Sequence, residues 1–418
     1  MITRLLAFLF VFSIFESIGQ QISGCTDVRA NNFNSQANTN DGSCTYNLTV
    51  YNPPLRYLLP SEVEETSGLA YYNNRFWTIN DSGGLPVIYG LDTTTGEIIQ
   101  RITIKNAINR DWESLARDNR FMYIGDFGNN SGTRDDLTIY KIALAAFPLD
   151  DDTTLTAAII TFKYEDYQGP IAKKKENNFD CEALIAVDDS LYLLSKNWEN
   201  EQTNLYRLPK DPGDYLAKRL TSFDSKGLIT GADIDPLTGE IILTGYTNKT
   251  WIPFMWILSD YPDHRFFSGN KRRIDMVNLP ATQVEAIAFT HPNRGVITSE
   301  GHVLFSQTAF SISTQNWSVS SPSAIPVYPA NNLDFNINPN PVKGKKVFVE
   351  FNLDTDDEFS IDLYDADGRQ LEKPGQWFVG KQNDRNRIKI KVNRLKPGVY
   401  FIRMTSGQQH VEKKLIVQ

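Results

Sequence analysis

Carboxylates, amides and one lysine recur in this chain at the ends of short apolar segments. Glu64, Glu65, Asp111, Glu113, Asp180, Glu182 and Glu285 stand at the start of one set of segments. Asn80, Asp81, Asp126, Asn129, Asn130, Lys196, Asn197 and Glu300 stand at the end of the segment that follows each. If each pair is an antiparallel hairpin, the start of its first strand and the end of its second lie on the same side, and these groups gather there. The candidate ligand contacts are Asp81, Asp111, Trp112, Glu113, Asp126, Asn129, Glu182, Lys196, Glu285 and Glu300. Carboxylates so crowded do not all stay ionised without a counterion. A divalent cation, Ca2+ or Mg2+, held by carboxylate and amide oxygens would supply one, with Glu113 and Asp126 as the expected metal ligands. Alternatively, Lys196, Arg110 and Arg134 pair with some of the acids. The segments Asn80-Asp81-Ser82-Gly83-Gly84 and Gly125-Asp126-Phe127-Gly128-Asn129-Asn130 each join carboxylate, amide and glycine, so that backbone can approach a ligand closely. Asp111-Trp112-Glu113 sets a flat apolar plate beside two acids, an arrangement suited to a sugar or another ring. The competing reading is structural: Asp and Asn at strand ends cap turns, and repeated Glu residues hydrogen-bond neighbouring units.

The elements that would position these groups are short strands. Residues 47–317 show few segments of 3.6-residue period and many alternating ones separated by Gly, Asn and Asp. A unit recurs: a polar residue, a small residue, an aliphatic pair, a turn and a second strand rich in aromatics and aliphatics. Its copies contain Ser67-Gly68-Leu69-Ala70, Glu113-Ser114-Leu115-Ala116, Glu182-Ala183-Leu184-Ile185, Gly231-Ala232-Asp233-Ile234 and Glu285-Ala286-Ile287-Ala288. Leu69, Leu115, Leu184, Asp233 and Ile287 are taken as equivalent. Steps of 46, 69, 49 and 54 residues between them, with further strands after most pairs, predict an all-β protein built on a β-propeller of five or six blades. The sixth blade would be closed by Asn47–Tyr51 and Val303–Ile312. The rival architecture is a pair of β-sandwiches. In these repeats the chain resembles secreted bacterial six-bladed propellers related to the phytase-like esterases and calcium-dependent lactonases, a resemblance that implies a divalent ion at the channel mouth with acids around it.

The chain carries three Cys and four His, which leaves little room for a Cys/His zinc site. His264, His291 and His302 have no partner spacing, and no Gly-x-Ser-x-Gly elbow, Walker loop or His-Glu-x-x-His is present. No catalytic residue is assigned, and metal-assisted hydrolysis is the one enzymatic route retained. Its 42 Lys and Arg against 50 Asp and Glu give a net charge of −8, which argues against nucleic acid as a partner.

Gly24-Cys25-Thr26-Asp27 and Asp41-Gly42-Ser43-Cys44 bracket an Asn-rich loop within residues 20–46. In an exported chain, Cys25 and Cys44 are expected to be bonded. Asp27, Asn38, Asn40 and Asp41 could give oxygen to Ca2+ or simply cap a disulfide-closed turn. The segment resembles short modules of secreted Bacteroidetes proteins, with Val28 where those usually have Pro and Phe33 where they have Tyr. Cys181 is left over, and a buried free thiol is expected.

The two ends read as addresses. Residues 1–19 have Arg4, an apolar run from Leu5 to Phe15 and small residues Ser17 and Gly19, the pattern of a secretory signal peptide, too short to span a bilayer. A Ser/Pro/Asn-rich linker over 318–332 precedes a small domain over 333–418 of alternating strands, an Ig-like β-sandwich. Its motifs are Asn338-Pro339-Asn340-Pro341, Leu363-Tyr364-Asp365, Gly368-Arg369, Leu395-Lys396-Pro397-Gly398-Val399-Tyr400 and Lys413-Lys414-Leu415-Ile416-Val417-Gln418. In that order they resemble the C-terminal sorting domain of the type IX secretion system. The resemblance implies a Bacteroidetes-type protein that passes the periplasm, engages the type IX machinery through residues 333–418, and ends secreted or on the cell surface.

The expected function is a surface or secreted propeller, non-enzymatic or of unassigned activity, that binds a small-molecule, glycan or protein ligand, or a divalent cation such as Ca2+, at its acidic channel face. The alternatives are a Ca-dependent hydrolase of the esterase, lactonase or phosphatase class, and an adhesion or scaffold protein with no ion dependence.

Overall fold

In the computed structural model, residues 21–148, 151–236, 238–318, 335–351, 357–365, 371, 377–380, 386–406 and 409–418 are described. The expected signal peptide, nearly all of the 318–332 linker and Gly368-Arg369 lie outside them. Among the described residues the helices are three-residue 3-10 turns, and none is long and apolar enough to cross a membrane.

The recurring unit is one blade of a propeller, and five such blades form a ring among the described residues. Their innermost strands are Thr66–Tyr72, Trp112–Arg117, Asp180–Val187, Leu228–Ile234 and Val284–His291, in blades 1 to 5. Each pairs antiparallel with the strand that follows. Strand residues point alternately to the two faces of a sheet, and here both faces are covered by neighbouring blades. Leu191 and Leu193 pack in the core shared with blade 2, while Tyr192 and Leu194 pack in the core shared with blade 4. Unbroken apolar runs such as Leu191–Leu194 therefore belong to strands buried on both sides. Five such interblade cores close the circle, the last between blades 5 and 1.

The flanking segments complete existing blades and add no sixth one among the described residues. Leu55–Leu58 pairs with Thr308–Ser313 as the outermost strand of blade 5, so chain segments from both ends of the ring share one sheet. Residues 49–51 run beside Asp275 on the outer strand of blade 4. Thr153–Leu155 covers the edge of blade 1, and blades 2 and 3 join through Ala158–Tyr164 and Gly213–Phe223. Sheet edges that would invite other chains are thus largely occupied.

The Cys25–Cys44 disulfide is formed, and the loop it closes docks on blade 4. Thr26 Oγ1 donates to Asp260, Asn40 Nδ2 donates to Asp260 and Asn270, and Arg272 stacks on Tyr46. The four candidate oxygen donors of this module are engaged locally. Asp27 accepts from the Arg29 backbone and the Tyr46 hydroxyl, Asn38 from Ile22, Asn40 from Gly42, and Asp41 from Ser43. These bonds are those of a capped, disulfide-closed turn. Cys181 is a fully buried free thiol, its pKa pushed up by burial.

The C-terminal residues form two antiparallel sheets. Phe335, Val347, Val349 and Phe351 of one share a core with Leu363, Ile402, Met404 and Leu415 of the other, the layout of a β-sandwich.

Candidate functional site at the channel mouth

All five innermost strands carry a β-bulge at the same place. The register against the second strand slips between Thr66 and Gly68, Trp112 and Ser114, Cys181 and Ala183, Ile229 and Gly231, and Val284 and Ala286. The extra residues are Ser67, Glu113, Glu182, Thr230 and Glu285, one per blade. A bulge inserts one residue against none and re-aims its side chain. A small residue follows in every case: Gly68, Ser114, Ala183, Gly231 or Ala286. At Gly68 a β-carbon would strike Leu115 of the next blade, and at Gly231 the Glu285 carbonyl, so these positions let the inner strands close on the axis. The bulges also correct the repeat alignment: the fourth copy is in step at Ala232, one residue before Asp233.

The five bulged residues are buried and do two jobs. Ser67 donates to the Trp112 carbonyl at 2.5 Å, and Thr230 to the Val284 carbonyl, each tying its blade to the next. Glu113, Glu182 and Glu285 line a cavity of about 460 Å³ at the channel mouth. Asp81, Lys196 and Tyr246, from the ends of second strands, line it too, as do Asp111, Asn129 and Gln283 from the loops.

Asp81, Asp111 and Glu113 each offer a carboxylate oxygen within 4.8 Å of the others. Oxygens on one Ca2+, at 2.3–2.6 Å from it, lie no more than about 5.2 Å apart, so the three fit a shared ion. Asn109 holds the Asp81 turn by donating to the carbonyls of Asn80 and Asp81 at 2.9 and 2.6 Å. Burial, the neighbouring Asp81 and Asp180 push the Asp111 carboxyl up to about 7. Burial, then Asp81 and Glu182, push Glu113 well above the carboxylate range. Glu113 is 4% exposed, and its carboxyl has no hydrogen-bond or ion-pair partner among the described residues.

In the same cavity, Lys196 Nζ lies 3.1 Å from Glu182 Oε1. Burial works against the ammonium, but Glu182, Tyr246 and Glu285 hold its pKa well above the usual lysine value. Gln283 Nε2 bridges Glu285 and Glu300 at 2.8 and 3.1 Å. Glu300 stands behind Glu285, its pKa raised by burial and by Glu285 and Asp81.

Two expected contacts have other duties. Asp126 is turned to Arg134, 3.0 Å from Nη2, and not to Glu113. It also accepts from the Asp111 backbone, and Arg134 Nη1 donates to the Gly128 carbonyl at 2.9 Å. Asp126 and Arg134 thus brace the loop that presses Gly128 onto Asp111 and Glu113; a β-carbon at Gly128 would collide with both carboxylates. The Trp112 ring is fully buried between blades 1 and 2, 5.9 Å from Tyr140, so it is a core residue and no plate for a ligand. Asn129 lines the cavity with its side-chain oxygen accepting from Thr133 and Arg134, and its N–H donates to Asp180 at 2.5 Å. Arg110 pairs with Asp136, away from the cluster.

Sequence reading missed Trp198, Tyr246, Gln283, Lys174 and Lys175, which also line the cavity. Trp198 donates its indole N–H to Asp180 at 2.7 Å, with Lys175 Nζ 4.7 Å and Lys196 Nζ 4.9 Å from the ring centre. For Tyr246 a signal existed: counted from the bulges, it holds in blade 4 the position of Asp81, Lys196 and Glu300.

Residues 336–418 match the family model of the secretion system C-terminal sorting domain. No curated protein matches the chain. Among solved structures, the chain is similar to a bifunctional GH43-CE protein of Bacteroides eggerthii at 10% identity, over 87% of this chain and 54% of that one, TM-score 0.36. It is also similar to an alpha-L-arabinofuranosidase (CtGH43) of Clostridium thermocellum at 12% identity, over 74% and 93%, TM-score 0.34. The WD40 domain of Toxoplasma gondii coronin is similar at 13% identity, over 65% and 75%, TM-score 0.32. The sorting domain addresses this β-propeller chain to type IX export, and so to the cell surface or the medium.

Proposed function

We propose that this exported propeller binds a divalent cation, with Ca2+ the best match, at its channel mouth through Asp81, Asp111 and Glu113, and uses that ion to hold an extracellular ligand. The observation that carries this reading is Glu113. A buried carboxyl that faces a cavity and has no partner is costly to keep, and a cation shared with Asp81 and Asp111 removes that cost. The all-oxygen ligand set suits a hard cation. Gly128 supports the reading too, because its lack of a side chain leaves room for both carboxylates. Glu113 is retained from the expected metal pair; Asp126 becomes a positioning residue.

The test is thermal melting of the full secreted chain in chelator and across a calcium titration. An ion that binds only the native state, at a hundredfold above its dissociation constant, adds about 2.7 kcal/mol. The melting temperature should rise with calcium in the wild type and much less in Glu113→Gln and Asp81→Asn. Identical melting in chelator and in excess calcium overturns the cation and leaves an adhesion or scaffold role.

A further inference from the structure

Acids and lysines share the mouth. Asp81, Asp111 and Glu113 stand together, and Lys196 is answered by Glu182 at 3.1 Å. Lys174 and Lys175, in the loop that leads into the inner strand of blade 3, also line the cavity, and neither has a carboxylate at ion-pair distance among the described residues. The Lys175 ammonium is held over Trp198, 4.7 Å from the ring centre, while Lys196 approaches the same ring at 4.9 Å. The indole is itself pinned by its bond to Asp180. The Lys175 backbone N–H donates to the Asn130 carbonyl at 2.8 Å, which ties the lysine loop to the loop carrying Gly128. Lysine ammoniums are thereby brought to the lip of a cavity whose other wall is acidic. With a divalent cation on the acidic wall, the mouth would offer positive charge from two sides.

From this we infer that the ligand is a small molecule presenting a compact oxyanion, carboxylate or phosphate, which bridges the bound cation and the Lys174–Lys175 lip; the inference rests on the cation reading above. One oxygen of the anion would coordinate the cation while another accepts hydrogen bonds from the lysines. The neutral remainder of the ligand would lie toward the open side of the mouth. Without the ion the oxyanion would face the acid cluster of Asp81, Asp111 and Glu113 with no cation between them, so binding should need both.

The experiment is calorimetric titration of the full secreted chain with glucuronate, glucose 6-phosphate and glucose, each in calcium and in chelator. At least one of the two anions should bind in calcium and weaken at least tenfold in chelator, while glucose shows no comparable binding. A Lys174→Ala/Lys175→Ala variant should lose at least tenfold in affinity for that anion and keep the calcium-dependent rise in melting temperature. Which anion binds distinguishes a carboxylate from a phosphate ligand. If calcium raises the melting temperature but neither anion binds, or glucose binds as well as they do, the oxyanion is wrong and the cation reading stands. Anion binding that is equal in calcium and chelator, or unchanged in the lysine variant, also overturns it. If calcium leaves melting unchanged, the cation reading falls first and this inference with it.

Discussion

The Lys196 ammonium and the Glu182 carboxylate meet at 3.1 Å with side chains 5% and 2% exposed, a buried ion pair made within one blade from a strand end and a bulge. Removing one member of such a pair leaves the other charged or forces it to give up its proton state, and typically costs about 3–5 kcal/mol. Lys196→Met and Glu182→Gln should each lower the free energy of unfolding by an amount of that order. The double variant should cost less than the sum of the two. Additive losses in urea denaturation would show that the pair is not coupled as its geometry implies.

Gly128 sits where any side chain would strike Asp111 and Glu113. Gly128→Ala should therefore spread the carboxylates and erase most of the calcium-dependent gain in melting temperature. Far-ultraviolet circular dichroism should stay that of the parent, because the loop lies outside the ring of strands. Wild-type calcium dependence in this variant would count against Asp111 and Glu113 as a ligand pair.

At the far end of the channel, burial pushes the Asp233 carboxyl up to about 7, partly offset by hydrogen bonds from Phe289 and Ile234 and by Arg117. For an acid whose folded pKa is raised, the stabilising contribution is complete below the unfolded value and is lost as pH rises through the folded one. Asp233→Asn, which mimics the neutral form, should therefore gain stability relative to wild type as pH rises from about 4 through 7. Urea unfolding at pH 5 and 8 gives the difference; a margin that shrinks with pH would contradict the assignment.

The Cys25–Cys44 bond closes a loop with a sequence separation of 19, and the closed loop docks on blade 4 through Asn40, Thr26 and Tyr46. A loop of that size contributes roughly 3 kcal/mol in the chain-entropy model. Cys25→Ser/Cys44→Ser should release residues 21–46 to limited proteolysis while the blades stay resistant. Equal protection of the module in both proteins would mean that its docking contacts suffice without the bond.

Deleting residues 336–418, which match the sorting domain, should leave the remaining chain in the periplasm. Fractionation and immunoblotting of cells and medium check this. Normal appearance of the truncated chain outside the cell would refute the sorting role.

Much of this protein was written in local pattern. The C-terminal motifs, the Cys25–Cys44 pair and the recurrence of a polar residue, a small residue and an aliphatic pair are read from neighbouring residues, because turns, loop closure and strand alternation depend on neighbours. Even the gathering of Asp81, Asp111, Glu113, Glu182 and Glu285 follows from hairpin direction once a ring is supposed. The number of blades was not readable, because Leu55–Leu58 looks like any short strand until it pairs with Thr308–Ser313, some 250 residues away. Nor were the bulges, since an extra residue is defined only against the register of a partner strand, and the alignment of the fourth repeat slipped by one for that reason.

The individual roles were decided only by tertiary packing. Trp112 and Trp198 are the same residue type beside acids in the sequence, yet one is sealed between blades 1 and 2 and the other lines the cavity. Asp126 and Glu113 are both acids near a strand end, yet Arg134 claims the first and nothing claims the second. Sequence by itself determined the export address, the β architecture and the company of acids at one end of the blades, because these depend on composition and local spacing. Which acid is free, which is braced and what faces them depended on the distance between side chains from different blades, a quantity that exists only once the ring has closed.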